Sequence, residues 1–127
     1  MPKLLIVDDN ELNIDMLSKW LKKNGFDIIV AQNGQEGITK ASTESPDLVL
    51  MDLTMPVTDG WQATAKLKSL PETRSIPVIA LSAHDSDEDR LSALEAGCDD
   101  YECKPLNLKR VTEKICQLLE SSDRKSD

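Results

Sequence analysis

Apolar runs of strand length alternate along this chain with segments of helical period. Lys3–Val7, Asp27–Ala31, Asp47–Met51, Pro77–Leu81 and Asp100–Cys103 read as strands. Between the first two, Leu12, Met16, Leu17, Trp20 and Leu21 mark a helical stripe, which Asn24-Gly25 stops. Asn33 caps the next helix, with Glu36 in the capping-box position. Asp59-Gly60 opens a helix carrying Trp61, Ala65 and Leu67, and Ser86 caps one with Leu91 and Leu94 that ends at Gly97. Leu108, Val111, Ile115, Leu118 and Leu119 mark the last helix, and the polar stretch 121–127 is expected to be a fraying tail. The period places Trp20 and Trp61 in packing roles.

Strand–helix alternation predicts an α/β fold. Past the leading Lys3 and Asp47, the runs at 3–7, 47–51 and 77–81 are continuously apolar, as expected for central strands of a parallel sheet covered on both faces. The expected architecture is a doubly wound sheet with helices on both faces, one domain over residues 1–120 and no internal repeat.

Composition narrows the functions open to such a domain. Only 3% of the 127 residues are aromatic, so the core must be aliphatic. The formal net charge of -8 disfavours binding to nucleic acid. Cys98, Cys103 and Cys116, with His84 as the one histidine, fit no zinc pattern and read as reduced thiols of a cytoplasmic protein. No apolar run approaches the length of a membrane span, and the apolar run after Met1 is too short for a signal peptide.

In a doubly wound sheet, ligands sit beyond the carboxyl ends of the strands. Those ends carry Asp8-Asp9, Asp52, Ser82 and Lys104-Pro105. Three converging carboxylates repel one another, and a hard divalent cation removes that cost. Such a cation also neutralises charge on a transferring phosphoryl group. A carboxylate can act as nucleophile and become an aspartyl phosphate, with an ammonium and a hydroxyl on the phosphoryl oxygens. Each residue alone has a plainer reading: Asp8, Asp9 and Asp52 as solvated strand ends or caps, Ser82 as a turn cap, Lys104 as a surface lysine.

Asp8-Asp9, Asp52 followed by Met55-Pro56 and Asp59-Gly60, Ser82-Ala83 and Lys104-Pro105 together resemble the receiver domain of two-component response regulators, over about residues 3 to 120. The resemblance implies the flavodoxin-like strand order 2-1-3-4-5. It makes Asp52 the phosphoacceptor. Asp8, Asp9 and Asp52 become ligands of Mg²⁺ (or Mn²⁺), joined by the backbone carbonyl of Thr54. Ser82 becomes the switch hydroxyl, Lys104 the lysine on the phosphoryl group and Tyr101 the switch aromatic. Tyr101 also has the plain reading of an edge-strand residue. The Lys104-Pro105 bond is cis by resemblance. Thr54 and His84 fall where family members tune the lifetime of the acyl phosphate, although an exposed loop histidine without a role is an equal reading of His84.

The implied donor is a phosphohistidine on a histidine kinase or phosphotransfer protein, since the chain has no glycine-rich ATP loop and no second histidine. The protein would catalyse only its own phosphorylation and dephosphorylation. Its output would be an effector protein bound on the face of the fourth helix, fifth strand and fifth helix, without nucleic acid or membrane. The strand directly after Met1 suggests a complete single-domain regulator; a receiver cut from a hybrid kinase or a larger regulator would read the same. A phosphorylation-independent docking module is the further alternative. A flavin-binding module would want a Ser/Thr/Gly-rich loop where Asp8-Asp9-Asn10-Glu11 stands, and a haloacid-type phosphohydrolase a second acid where Thr54 stands.

Overall fold

The computed structural model describes residues 2–53, 60–82, 87–104 and 106–125. Its elements run β1 (Lys3–Val7), α1 (Glu11–Lys23), β2 (Asp27–Ala31), α2 (Gly34–Glu44), β3 (Leu48–Asp52), α3 (Gly60–Ser69), β4 (Val78–Ser82), α4 (Asp87–Ala96), β5 (Asp100–Cys103) and α5 (Leu108–Lys125). The strands form one parallel sheet in the order β2-β1-β3-β4-β5, as expected. The order reverses between β1 and β3, and this switch point opens a crevice beyond their carboxyl ends.

Alternation along each strand divides the core into two layers. Leu5, Val7, Val49, Met51, Val78 and Ala80 pack with Ala41 of α2, Ala63 and Leu67 of α3 and Ala93 of α4. Leu4, Ile6, Leu48, Leu50, Ile79 and Leu81 pack with Leu17 and Leu21 of α1 and Val111 and Ile115 of α5. Both faces of β3 and β4 are therefore buried, which explains their unbroken apolar runs. Trp20 and Trp61 do pack, and the Trp20 indole Nε1 also donates to Thr112 Oγ1 at 2.9 Å, joining α1 to α5.

Asn33 caps α2 as expected, Asn10 caps α1 without being expected to, and Ser86 lies outside the described residues. The Asn10 side chain accepts from the Asn13 N–H, and that of Asn33 from the Glu36 N–H. Glu36 reaches back to the N–H of Gln32 rather than that of the cap itself. Gly97, at φ +110°, closes α4.

Three expectations shift. The strands β3 and β4 begin one residue later and include Asp52 and Ser82. The buried helical faces are narrower than the apolar stripes: Leu12 and Met16 of α1 are 81% and 40% exposed, Leu91 and Leu94 of α4 are 58% and 46% exposed, and Ala65 is exposed. Small residues such as Ala63 and Ala93 take the inward positions, because α3 and α4 lie close against the sheet. Backbone helicity continues through Lys125, into the stretch read as a tail. No helix among the described residues is long and apolar enough to cross a membrane.

Candidate functional site

Strand register sets which residues share the rim. Val7 is level with Met51, Met51 with Ala80 and Ala80 with Tyr101. Asp8 and Asp52 each stand one residue beyond that level on neighbouring strands. Ser82 stands two beyond it and Lys104 three. Backbone hydrogen bonds hold these ends: Asp8 N to Ala31 O, Leu53 N to Leu81 O, and Lys104 N to Ser82 O at 2.7 Å. The rim thus rests on the most deeply buried part of the sheet.

Asp8 and Asp52 are each 1% exposed, Ser82 is 2% exposed, and Asp9 faces solvent. Oxygens of Asp8, Asp9 and Asp52 lie within 4.8 Å of one another. Lys104 Nζ sits 3.1 Å from Asp52 Oδ2. One oxygen of Asp8 accepts the Asn10 N–H at 2.9 Å, while Oδ2 has no partner among the described residues. Burial pushes the Asp8 carboxyl up to about 6; the Asn10 N–H opposes the shift, and the neighbouring charge of Asp52 adds to it.

The chemistry of this donor set suits a hard divalent cation. A buried carboxylate oxygen without a hydrogen-bond donor is costly, and Asp8 brings a carboxylate oxygen within 4.8 Å of oxygens of Asp9 and Asp52. A metal would satisfy that oxygen and relieve the repulsion among all three. Thr54 and His84 lie outside the described residues, as do Met55, Pro56, Asp59, Ala83 and the peptide bond into Pro105.

Gly60 has a role that spacing did not disclose. A Cβ there would come 2.4 Å from the carbonyl oxygen of Asp52 and 2.9 Å from Leu53 Cα. Only glycine lets the first turn of α3 rest directly on the strand that presents Asp52.

Tyr101 is 2% exposed, on the face opposite Asp52, and the Arg90 guanidinium lies 5.4 Å from its ring centroid. Its inward position therefore already exists in the unmodified chain. Sequence reasoning also missed Glu102, which is 3% exposed and bound by Arg110 and Lys114 of α5. The signal was there in outline, as two cations at i, i+4 spacing one helix beyond a strand acid, but exposed helix faces carry such pairs routinely.

Residues 4–116 match the response regulator receiver domain family. Among curated relatives, protein PilH of Pseudomonas aeruginosa is 37% identical over 119 residues, which cover 94% of this chain and 98% of PilH. The alkaline phosphatase synthesis transcriptional regulatory protein PhoP of Bacillus subtilis is 35% identical over 121 residues, covering 95% of this chain and 50% of PhoP. The chain thus spans about half the length of some relatives and nearly all of others. Among solved structures, a CheY-like response regulator receiver domain protein from Methanospirillum hungatei superposes with a TM-score of 0.91 at 28% identity, covering 98% of each chain. The receiver domain of sensor histidine kinase PA1611 from Pseudomonas aeruginosa, with a magnesium ion coordinated in its active-site cleft, gives 0.87 at 28% identity, covering 94% of this chain and 98% of that one.

Proposed function

The chain belongs to the response regulator receiver domain family of two-component systems, and we propose that it switches by accepting a phosphoryl group on Asp52. One observation carries this reading: a buried carboxylate at the end of a central strand, with an ammonium at 3.1 Å and oxygens of two further carboxylates within 4.8 Å. A solvated strand-end acid or a simple helix cap has no use for that arrangement.

The donor is a phosphohistidine on a histidine kinase or phosphotransfer protein. An Asp52 oxygen attacks the phosphorus in line, an O–P bond forms, the P–N bond breaks, and the imidazole leaves with the electron pair and takes up a proton. Lys104 holds Asp52 in place from 3.1 Å and then offers its charge to a phosphoryl oxygen. The Ser82 hydroxyl donates to another. Asp8, Asp9 and Asp52 would hold Mg²⁺ or Mn²⁺, which supplies charge neutralisation on the phosphoryl oxygens. Leu12 and Met16, exposed on α1 just beyond Asp9-Asn10, offer apolar surface where the donor must approach. Water later cleaves the acyl phosphate, so the chain catalyses only its own phosphorylation and dephosphorylation. We assign the modulation of that lifetime to Thr54 and His84.

The added charge at the rim shifts a population of two states. Ser82 and Tyr101 carry the shift to the face of α4, β5 and α5, where an effector protein binds. The reading is the same for a receiver acting alone and for one inside a longer protein. Three cysteines, none disulfide-bonded, suit the reducing cytoplasm.

Incubation with acetyl phosphate or phosphoramidate and Mg²⁺, followed by intact mass measurement, tests the proposal. The expected result is one added phosphoryl group, absent from Asp52→Asn. No addition to the native chain, or an addition that survives Asp52→Asn, rejects it.

A further inference from the structure

An open sheet ends on two strands whose outer backbone groups face no further strand, and here those strands are β2 and β5. Register shows which groups these are on β2. Asp27 N donates to Pro2 O, and Ala31 O accepts from Asp8 N, so residues 27, 29 and 31 turn their N–H and C=O toward β1. Ile28, Val30 and Gln32 turn theirs outward. The run Ile28-Ile29-Val30 is apolar, β-branched and only half-buried. It borders a cavity of ≈ 540 Å³ whose lining includes Ile14, Ser18, Val30 and Gln32. An open edge of that composition is a template for pairing with another chain.

Two side chains of α2 close it. Lys40 Nζ donates to Val30 O, and Glu36 Oε1 accepts the N–H of Gln32 at 3.1 Å. The two side chains pair with each other at 3.6 Å with i, i+4 spacing, so each holds the other over the edge. Both are more than a third exposed, and a pair so placed adds little stability. The opposite edge carries the same pattern. The Tyr101 N–H donates to Asp100 Oδ1 at 2.8 Å, Lys114 Nζ donates to Tyr101 O at 2.7 Å, and Lys114 and Asp100 pair at 3.2 Å. At both ends of the sheet an acid takes an N–H, a helix lysine takes a C=O, and the two are joined.

We propose that Glu36 and Lys40 form a lock that keeps the β2 edge from pairing with the β2 edge of a second copy of this chain. The geometry of the strand names the occupant. A two-fold axis at Ile29 would lay two β2 strands antiparallel, with Ile28 of each opposite Val30 of the other. Their outward N–H and C=O groups would then exchange hydrogen bonds across the axis. Asp27 would stand opposite Ala31, so no like charges would meet within the ladder. Val30 O of each copy is needed for that ladder, and Lys40 occupies it. The lock does not depend on the reading of Asp52.

Sedimentation velocity of the unphosphorylated full chain over a concentration series tests this. Glu36→Ala with Lys40→Met is expected to self-associate about tenfold or more tightly than the native chain. Adding Val30→Pro should reverse the association, because that N–H faces outward: proline leaves the bonds to β1 in place but cannot join a new ladder. In the associated variant the amide protons of Ile28 and Val30 should exchange about tenfold or more slowly than in the native chain. Should the double variant fail to fold, Lys40→Met alone frees Val30 O, leaves the Asn33 cap of α2 untouched and is read in the same way. Equal sedimentation of the native and variant chains would overturn the proposal. So would association that survives Val30→Pro, or that leaves the Ile28 and Val30 amides exchanging as in the native chain, since the contact would then lie elsewhere.

Discussion

Asp8 and Glu102 are almost equally withdrawn from water, at 1% and 3% exposure, yet their carboxyl groups titrate in opposite directions. Burial pushes both up. For Asp8 the Asn10 N–H and, more weakly, the Lys104 charge oppose it, Asp52 reinforces it, and the group reaches about 6. For Glu102 the hydrogen bonds and charges of Arg110 and Lys114 outweigh burial and hold it below the usual carboxylate range. Burial alone therefore does not decide whether an acid is a structural strut or an open site. What decides it is whether the chain supplies the counter-charge. At Glu102 it does, with two α5 cations. At the rim the Lys104 ammonium pairs with Asp52, its charge acts only weakly on Asp8, and Asp8 Oδ2 has no hydrogen-bond partner among the described residues.

The largest effect should come from removing the counter-charge of Glu102. Arg110→Met with Lys114→Met leaves an uncompensated buried carboxylate, and the expected loss is about 3 kcal/mol or more in urea unfolding at neutral pH. Adding Glu102→Leu should restore most of it, because a buried ion pair and an apolar replacement of similar volume are close in stability. If the double variant unfolds like the native chain, the two acids do not differ in the way described.

Next in size is Asp8→Asn, with the opposite sign. Folding raises the Asp8 pKa from 3.8 to about 6, so at pH above 6 the folded state carries a charge it would rather not hold. Removing that charge should stabilise the metal-free protein at pH 8 by on the order of 2 kcal/mol. The gain should shrink as pH falls below 6 and vanish only below the unfolded value of 3.8, where native Asp8 is protonated in both states. Glu102 behaves inversely: its stabilising contribution is complete above its unfolded pKa and is lost as pH falls through the lower folded value. A gain from Asp8→Asn that is flat with pH would contradict the raised titration.

These two acids also mark how far the sequence could be read. The sheet was legible because every strand run obeyed its period, and the rim because strand ends point at the crevice in any doubly wound fold. Asp8, Asp9, Asp52, Ser82 and Lys104 needed only that rule and the resemblance. Glu102 escaped because its neighbours in space come from α5, and no local period tells which helix face a strand acid will meet. Leu12, Met16, Leu91 and Leu94 misled for a related reason: a stripe shows that a helix is amphipathic, not where its contact with the sheet ends. Gly60 was visible as a residue, but the 2.4 Å approach that requires it depends on how α3 lands on β3.

A smaller effect should follow from filling the rim. Mg²⁺ at about ten times its dissociation constant should stabilise the native chain by about 1.4 kcal/mol at pH 8. The same addition should do less for Asp8→Asn, which has lost one of the clustered carboxylates. Thermal unfolding with Mg²⁺ against a monovalent salt of equal ionic strength reads this directly. Equal stabilisation of both proteins would mean that Asp8 is not part of the ion site.

The smallest effect belongs to Asp100, the other acid within reach of Lys114. Lys114 Nζ lies 3.2 Å from Asp100 Oδ1 and 2.9 Å from Glu102 Oε2, so distance alone would rank the two contacts as near equals. Their surroundings differ: the Asp100 side chain is 35% exposed and that of Glu102 2%. Water can replace Lys114 at Asp100 but not at Glu102, and an exposed pair is worth under about 1 kcal/mol. Asp100→Asn also keeps the oxygen that accepts the Tyr101 N–H at 2.8 Å, leaving the strand edge intact. The variant should therefore unfold within about 1 kcal/mol of the native chain. A loss as large as that of the Arg110→Met, Lys114→Met pair would show that Lys114 works chiefly through Asp100, and that the low titration of Glu102 owes most to Arg110.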